Sequence, residues 1–220
     1  MNIAYTIFYP TREASGTIRR MQAPFLERHR KIKDLLGIGI FILLVVIGTV
    51  FINAFIFRSF NVEGQSMERT MYTGDRLIVN RLPVTWAHIN GKPYIPERGQ
   101  IIVFKNPAFD SVRNREEYIV KRVIAFPGEH VTLKAGKYTI CNNNNTNCFN
   151  PDDANHGEPG APTSGEVDAV VAEGTLFVSG DHRQGNYSYD SRNGLGTIPF
   201  YDVIGPVAVR IFPFTSLRLF

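Results

Sequence analysis

The sequence predicts a mainly β domain carried behind one N-terminal membrane-crossing helix. Three observations predict it. One long run of residues is wholly uncharged. The basic excess of the chain sits entirely before that run. After it, the apolar residues come in short stretches rich in Val, Ile, Phe and Tyr, each ended by turn residues.

The tail comes first. Residues 1–34 hold seven Lys/Arg (Arg12, Arg19, Arg20, Arg28, Arg30, Lys31, Lys33) against Glu13, Glu27 and Asp34, which accounts for the whole net charge of +4. The remaining 17 basic and 17 acidic residues balance. A neutral domain lacks the electrostatic footprint of a nucleic-acid binder, so nucleic acid is excluded as a partner despite a pI near 9.1.

Residues 35–57, LLGIGIFILLVVIGTVFINAFIF, are uncharged. About 20 apolar residues cross a bilayer as a helix. A cleaved leader has a shorter apolar region, about 7–15 residues, ending in small residues. This run ends in Phe55-Ile56-Phe57-Arg58 and reads as a retained anchor. Basic flanks stay cytoplasmic, so the amino end is expected inside and the chain after Arg58 outside.

Strands are expected at 76–80, 101–105, 118–126, 130–133, 138–140, 174–179 and 203–211. No helical period of useful length follows the anchor, so the exported part is expected to be all β. Residues 134–172 are expected to form a loop-rich insertion, because 141–172 are rich in Asn, Asp, Gly and Pro. The catalytic β-domain would then comprise 58–133 and 173–220. Cys141 and Cys148, separated by NNNNTN, are placed to close a small loop, and an exported domain favours a disulfide between them. No second Cys/His pair has ligand spacing, so neither metal nor cofactor is expected.

Motifs for zinc, phosphate cradling and the nucleophile elbow are absent from the sequence. His29 lies in the tail, and His88, His130 and His156 lie in polar or turn-like stretches. Asp181 and His182 are adjacent, and neighbours on a strand point to opposite faces, so a Ser-His-Asp triad is not expected.

Ser66 and Lys121 stand out instead. Ser66 lies in Val62-Glu63-Gly64-Gln65-Ser66-Met67, with Thr70, Met71, Gly74 and Asp75 after it. Lys121 interrupts an apolar strand in YIVKRVIAFPGE, Tyr118 to Glu129. Arg98-Gly99-Gln100-Ile101-Ile102-Val103-Phe104 forms a further stretch. A fourth holds Gly180-Asp181-His182-Arg183, then Ser188-Tyr189-Asp190-Ser191-Arg192 and Gly194. These four stretches, in this order behind an anchor, resemble the signature boxes of the bacterial type I signal peptidases, the Ser/Lys-dyad serine peptidases.

The resemblance implies a signal-peptidase-like β fold and a serine endopeptidase that removes signal peptides from exported preproteins. Its place would be the cytoplasmic membrane, with the lipid bilayer as a partner and the secretion translocon as a candidate further one. Ser66 would be the nucleophile, Lys121 the general base, and Ser188 the hydroxyl that orients the amine. Arg122 and Asp181 would form an ion pair beside the site, and Asp190 and Arg192 would support the last box. Gly64 stands where some members carry a hydroxyl for the oxyanion. Val62, Gly64, Met67, Ile119 and Val120 are candidate substrate-binding residues, suited to the small side chains at signal-peptide cleavage sites. The sequence departs from the usual boxes at Arg69, Gln100 and His182, and Gln184–Tyr187 include about two extra residues.

The chemistry is coherent. A serine hydroxyl needs a base. A free lysine is neutral in only about one molecule in 2,500 at pH 7, and burial raises that fraction. Eight residues separate Phe57 from Ser66, at most about 30 Å of extended chain, which keeps Ser66 near the outer bilayer surface. Extended substrate would lie along a strand edge. Two other readings remain at this level: an impaired signal-peptidase-like binding or scaffold protein, and a processing peptidase dedicated to one exported partner. A self-cleaving cytoplasmic regulator fits neither the anchor nor the neutral domain.

Overall fold

The structure, a computed structural model, describes residues 30–107, 117–142, 147–153, 159 and 162–220. Most of the basic tail, residues 143–146 of the Asn-rich turn and His156 lie outside the described residues.

Helix α1 (Arg30–Phe51) continues through a π-helical turn at Ile52–Ile56. Its stretch Lys33–Ile56 is long and apolar enough to cross a membrane. The boundary between the chain's two units, Met1–Val46 and Ile47–Phe220, falls inside α1.

In the second unit the chain passes from the π-helical turn straight into β1 (Phe57–Asn61), which pairs antiparallel with β2 (Arg76–Asn80). Then come β3 (Ile101–Lys105), β4 (Tyr118–Ala125), β5 (His130–Lys134), β6 (Lys137–Cys141), β7 (Cys148–Phe149) and β8 (Val167–Val170). The last four are β9 (Thr175–Ser179), β10 (Ile198–Pro199), β11 (Val203–Phe212) and β12 (Arg218–Leu219). Eight of these make one sheet in the order β1-β2-β11-β3-β4-β9-β10, with β12 also on β11. The other four make a smaller sheet, β7-β6-β5-β8. That sheet takes in β5 from the stretch before residue 134, and Cys141 and Cys148 face each other across β6 and β7 in a disulfide.

Strand β11 is the seam of the large sheet. One end pairs with β3 and the other with β2. It shifts register around Gly205, where the backbone approaches the Asn80 carbonyl so closely that a Cβ would overlap it. Such close backbone approach is a reason for glycine inside a strand.

Three apolar clusters form the core. Val62, Met67, Met71, Leu77 and Val79 pack with Ile101 and Val207. Ile102, Phe104, Val123 and Val178 pack with Ile198 and Val203. Ile124, Ala125 and Phe177 of the large sheet pack against Val131, Leu133, Tyr138 and Ile140 of the small one.

The expectation of no helix after the anchor is corrected by α2 (Leu82–Ile89). Its eight residues, LPVTWAHI, include β-branched and aromatic side chains that make a poor isolated helix. Local chemistry and packing hold it. Asn80 Oδ1 accepts the Leu82 N–H at 3.0 Å, and Pro83 sits in the first turn, where a missing N–H is tolerated. Gly91, at φ 66°, ends the helix in the left-handed conformation favoured after helix C-termini.

Candidate active site

Ser66 lies in the loop joining β1 to β2. Val62 N donates to Asp75 O at 2.8 Å, and Gly74 N to Val62 O at 2.9 Å, so the hairpin ladder runs on past the strand ends. Beyond it a tight turn forms, with Glu68 N donating to Gln65 O at 3.0 Å and Met71 N to Met67 O at 2.8 Å. Buried Met67 and Met71 pin this turn into the core. Arg210 holds its far side by donating to Thr70 O at 3.1 Å and to Asp75 Oδ2 at 2.9 Å.

Lys121 comes from the middle of β4, opposite Ile102 of β3. The residue is only 3% exposed. Its Nζ lies 2.7 Å from Ser66 Oγ and donates to Val120 O at 2.9 Å. Burial pulls the amine down to about 8, against the opposing pull of Asp190 and Asp181 and with a smaller push from Arg192. An amine in that range can act as a proton acceptor near neutral pH.

A charged network surrounds the pair. Arg122 grips Asp181 in a two-point bridge, Nε to Oδ1 at 2.8 Å and Nη2 to Oδ2 at 2.6 Å, and also donates to Gly99 O at 2.7 Å. The Thr70 hydroxyl donates to Asp181 Oδ2 at 2.5 Å, tying this bridge to the serine loop. Asp190 binds Arg192, with Nη2 to Oδ2 at 2.8 Å, and accepts from Gly180 N at 2.8 Å and from the Ser188 hydroxyl at 2.6 Å. Burial pushes the Asp190 carboxyl up, but Arg192, the Gly180 amide and the Ser188 hydroxyl outweigh it and hold the group below the ordinary carboxylate range.

Ser188 is fully buried, and its proton goes to Asp190. Among the described residues the hydrogen bonds of the Lys121 amine run to Ser66 and Val120, not to Ser188. A carboxylate is the stronger acceptor, and the hydroxyl oxygen keeps lone pairs for an N–H donor. Gly180 packs between Ser188 and the Ser66 carbonyl, where a Cβ would overlap both.

The expected substrate-binding residues separate. Val62 (5% exposed) and Met67 (1%) are closed into the core. Ile119 and Val120 are half-buried on β4, on either side of the core. Gly64 is exposed, at φ 90°, and its carbonyl accepts from the Thr73 hydroxyl at 3.0 Å.

Among the described residues His182 has no aspartate partner, and Arg122 and Thr70 occupy Asp181. It acts on the serine loop instead. Its N–H donates to Ser66 O at 3.1 Å, its Nδ1 lies 3.1 Å from Gln65 O, and its ring stacks on Tyr187 at 4.5 Å. Gln100 braces the segment that leads into β3, where its Oε1 accepts from the Tyr94 hydroxyl at 2.9 Å and from Glu97 N at 3.1 Å.

One supporting pair lies beyond the residues singled out above. Arg183 is fully buried, binds both Asp152 oxygens at 2.5 and 2.7 Å, donates to Gly180 O at 3.0 Å, and lies over the Tyr138 ring. Asp152 stands in the segment expected to be loop-rich. The signal available in the sequence is the arginine of the fourth box, which needs a carboxylate if buried.

The chain is similar to known proteins along most of its length. The family model described as signal peptidase, peptidase S26, matches residues 35–212. A signal peptidase I of Bacillus licheniformis is 32% identical over 181 residues, 80% of this chain and 88% of its own length. Signal peptidase I P of Bacillus subtilis subsp. natto is 30% identical across 86% of this chain and 95% of its own. A crystal structure of a signal peptidase I from Enterococcus faecalis V583 is 26% identical, covering 51% of this chain and 96% of that one, with a TM-score of 0.37.

Proposed function

Because the chain belongs to the signal peptidase family, peptidase S26, and is a serine endopeptidase that removes signal peptides from exported preproteins, we propose that Ser66 is its nucleophile and Lys121 its general base. The observation that carries this reading is the 2.7 Å approach of a buried Nζ to Ser66 Oγ. The neutral amine takes the hydroxyl proton as Oγ attacks the scissile carbonyl. It then returns the proton to the leaving amine, and water releases the acyl group from Ser66. With its pKa near 8, about one amine in ten is neutral at pH 7.

Ser188 serves as a positioning hydroxyl, fixed by Asp190 and able to accept from the lysine amine. Arg122–Asp181 and Asp190–Arg192 neutralise charge around that amine and hold its strand and loop in place. The Ser66 backbone N–H serves the oxyanion, since Gly64 brings no hydroxyl. Ile119 and Val120 on β4 are the better-placed of the substrate-binding candidates, because they retain exposed surface.

The chain is anchored by residues 35–57 with the basic tail inside. The catalytic domain, residues 58–133 and 173–220 with the 134–172 insertion, lies outside, where preproteins emerge. The close pairing of Oγ and Nζ favours an active enzyme over a scaffold. The test is cleavage of a purified preprotein by wild type, Ser66→Ala and Lys121→Ala. Cleavage by wild type alone is expected, and residual activity in either variant well above background would overturn the assignment.

A further inference from the structure

We infer, on the reading of Ser66 as the nucleophile and its backbone N–H as the oxyanion donor, that His182 is the positioning residue that aims this N–H.

The two peptide units that meet at Ser66 are both held by residue 182. The His182 N–H donates to Ser66 O at 3.1 Å, and its ring Nδ1 lies 3.1 Å from Gln65 O. A peptide unit is planar and trans, so its C=O and N–H point in opposite directions. Fixing Gln65 O therefore fixes the direction of the Ser66 N–H. Glu68 N donates to the same carbonyl at 3.0 Å. Two donors on one carbonyl polarise the amide and make its N–H a stronger donor. Among the described residues no protein acceptor takes the Ser66 N–H.

The partners assign the ring's proton. Gln65 O can only accept, and so can the Glu68 carboxylate, whose Oε2 lies 3.4 Å from the same Nδ1. The proton of the neutral ring therefore belongs on Nδ1, and the ring donates to the serine loop.

The ring is held in that orientation from outside. The Tyr187 ring lies over it at 4.5 Å, tilted by only 22°. Tyr187 ends the stretch Gln184–Tyr187, which is about two residues longer than the usual fourth box. That stretch is tied down in turn: Gln184 Nε2 donates to Pro162 O at 3.1 Å, and Gly185 N to the Ser164 hydroxyl oxygen at 2.8 Å. The two departures in the fourth box thus act together. The longer loop supplies an aromatic ring, and that ring holds the imidazole against the Gln65 carbonyl.

The test uses the full chain in detergent micelles, cleaving a preprotein, as wild type, His182→Phe, His182→Asn and Ser66→Ala. Phenylalanine keeps the stack on Tyr187 and removes the donor. Asparagine lacks the ring but carries an N–H on the same γ carbon as Nδ1. In His182→Phe, kcat should fall about 10- to 100-fold with KM within about twofold of wild type, because an oxyanion donor acts in the transition state. His182→Asn should recover to within about threefold of wild type, which a packing role for the ring does not allow. Unchanged kcat in His182→Phe, equal loss in both variants, or a rise in KM alone would each overturn the inference. The tautomer tests it without relying on the folding of His182→Phe. The chain has five histidines, and ¹⁵N spectra of their rings in wild type, with His182 assigned by its loss in His182→Asn, should show the proton of the neutral ring on Nδ1. A proton on Nε2 would overturn the inference. Residual cleavage by Ser66→Ala would remove the nucleophile and this inference together, whereas an enzyme that needs Ser66 but ignores residue 182 would remove this inference alone.

Discussion

The two sheets place ionisable side chains differently. Strands β5 and β6 of the small sheet alternate cleanly. On β5, Val131 and Leu133 face the core while His130, Thr132 and Lys134 face outward, and the His130–Asp168 pair lies on the exposed side. Beside the large sheet, charges turn inward. Lys121 of β4 and, in the loop between β9 and β10, Asp181, Arg183 and Asp190 are all buried, and β4 shows no simple alternation. Burying charge is costly unless each group is paired. The carboxylates and guanidinium groups of this network are paired within it, while the amine of Lys121 meets a hydroxyl and a carbonyl. The contrast bears on the proposed dyad: the amine whose charged form burial disfavours is the one beside the serine.

The largest effect that would test this contrast is on catalysis. Ser66→Ala and Lys121→Ala should each lower kcat/KM on a preprotein by on the order of 10⁴-fold or more, and the double variant should be little worse, since nucleophile and base act as a unit. Lys121→Arg should be equally inactive, because a guanidinium keeps its proton; near wild-type cleavage by that variant would rule out lysine as the base.

Next comes the pairing itself. Asp181→Asn leaves Arg122 without its carboxylate in a mostly buried setting and should cost about 3–5 kcal/mol in urea unfolding. A loss under ~1 kcal/mol would mean that the network is less buried than its geometry indicates.

The third test has the opposite sign. The folded-state pKa of Lys121, about 8, lies below the ordinary lysine value of 10.5. The unfolded chain therefore binds more protons between these values, and stability is lost as pH falls from about 10.5 to about 8. Below 8 the full penalty applies, about 3 kcal/mol. Lys121→Met should thus be inactive yet more stable than wild type at pH 7, by about 2 kcal/mol after loss of the amine's hydrogen bonds. The gain should vanish above about pH 10.5. Equal melting behaviour at pH 7 would count against a desolvated lysine.

In the same terms, kcat/KM of wild type should rise about tenfold per pH unit below 8 and level off above it. A flat profile from pH 6 to 9 would break the link between burial and base strength. The smallest effect belongs to the small sheet. Asp168→Asn should leave both cleavage and the unfolding midpoint unchanged, because its partners are exposed.

What the sequence discloses follows the same division. Short apolar strands and the Ser66 and Lys121 stretches are legible because period and residue type are local properties. Helix α2 is not, because two turns with a proline and several β-branched side chains are too short to declare a helical period, and contacts with residues 53–56 support them. Strands β1 and β8 escape for a related reason: FRSFN and VDAV carry too little apolar pattern until a partner strand is known. The Asp152–Arg183 pair joins residues 31 apart, and no local rule points an aspartate in an Asn-rich stretch toward a buried arginine. Val62 and Met67 are expected to line shallow apolar pockets for small side chains; both are buried in the first core cluster, a property of tertiary packing that the local sequence does not carry.

Strand β11 has a consequence for timing. Ser66 belongs to the β1–β2 hairpin and Lys121 to the β3–β4 pair, and β11, residues 203–212, is the strand that lies between them. The pairing of β11 with β2 on one side and β3 on the other joins the hairpin and the β3–β4 pair into one sheet. Pairings between segments so far apart in sequence are slow to form. The approach of Ser66 to Lys121 is therefore expected to be completed only once this near-terminal strand is paired, so a chain cut before residue 203 should lack cleavage activity.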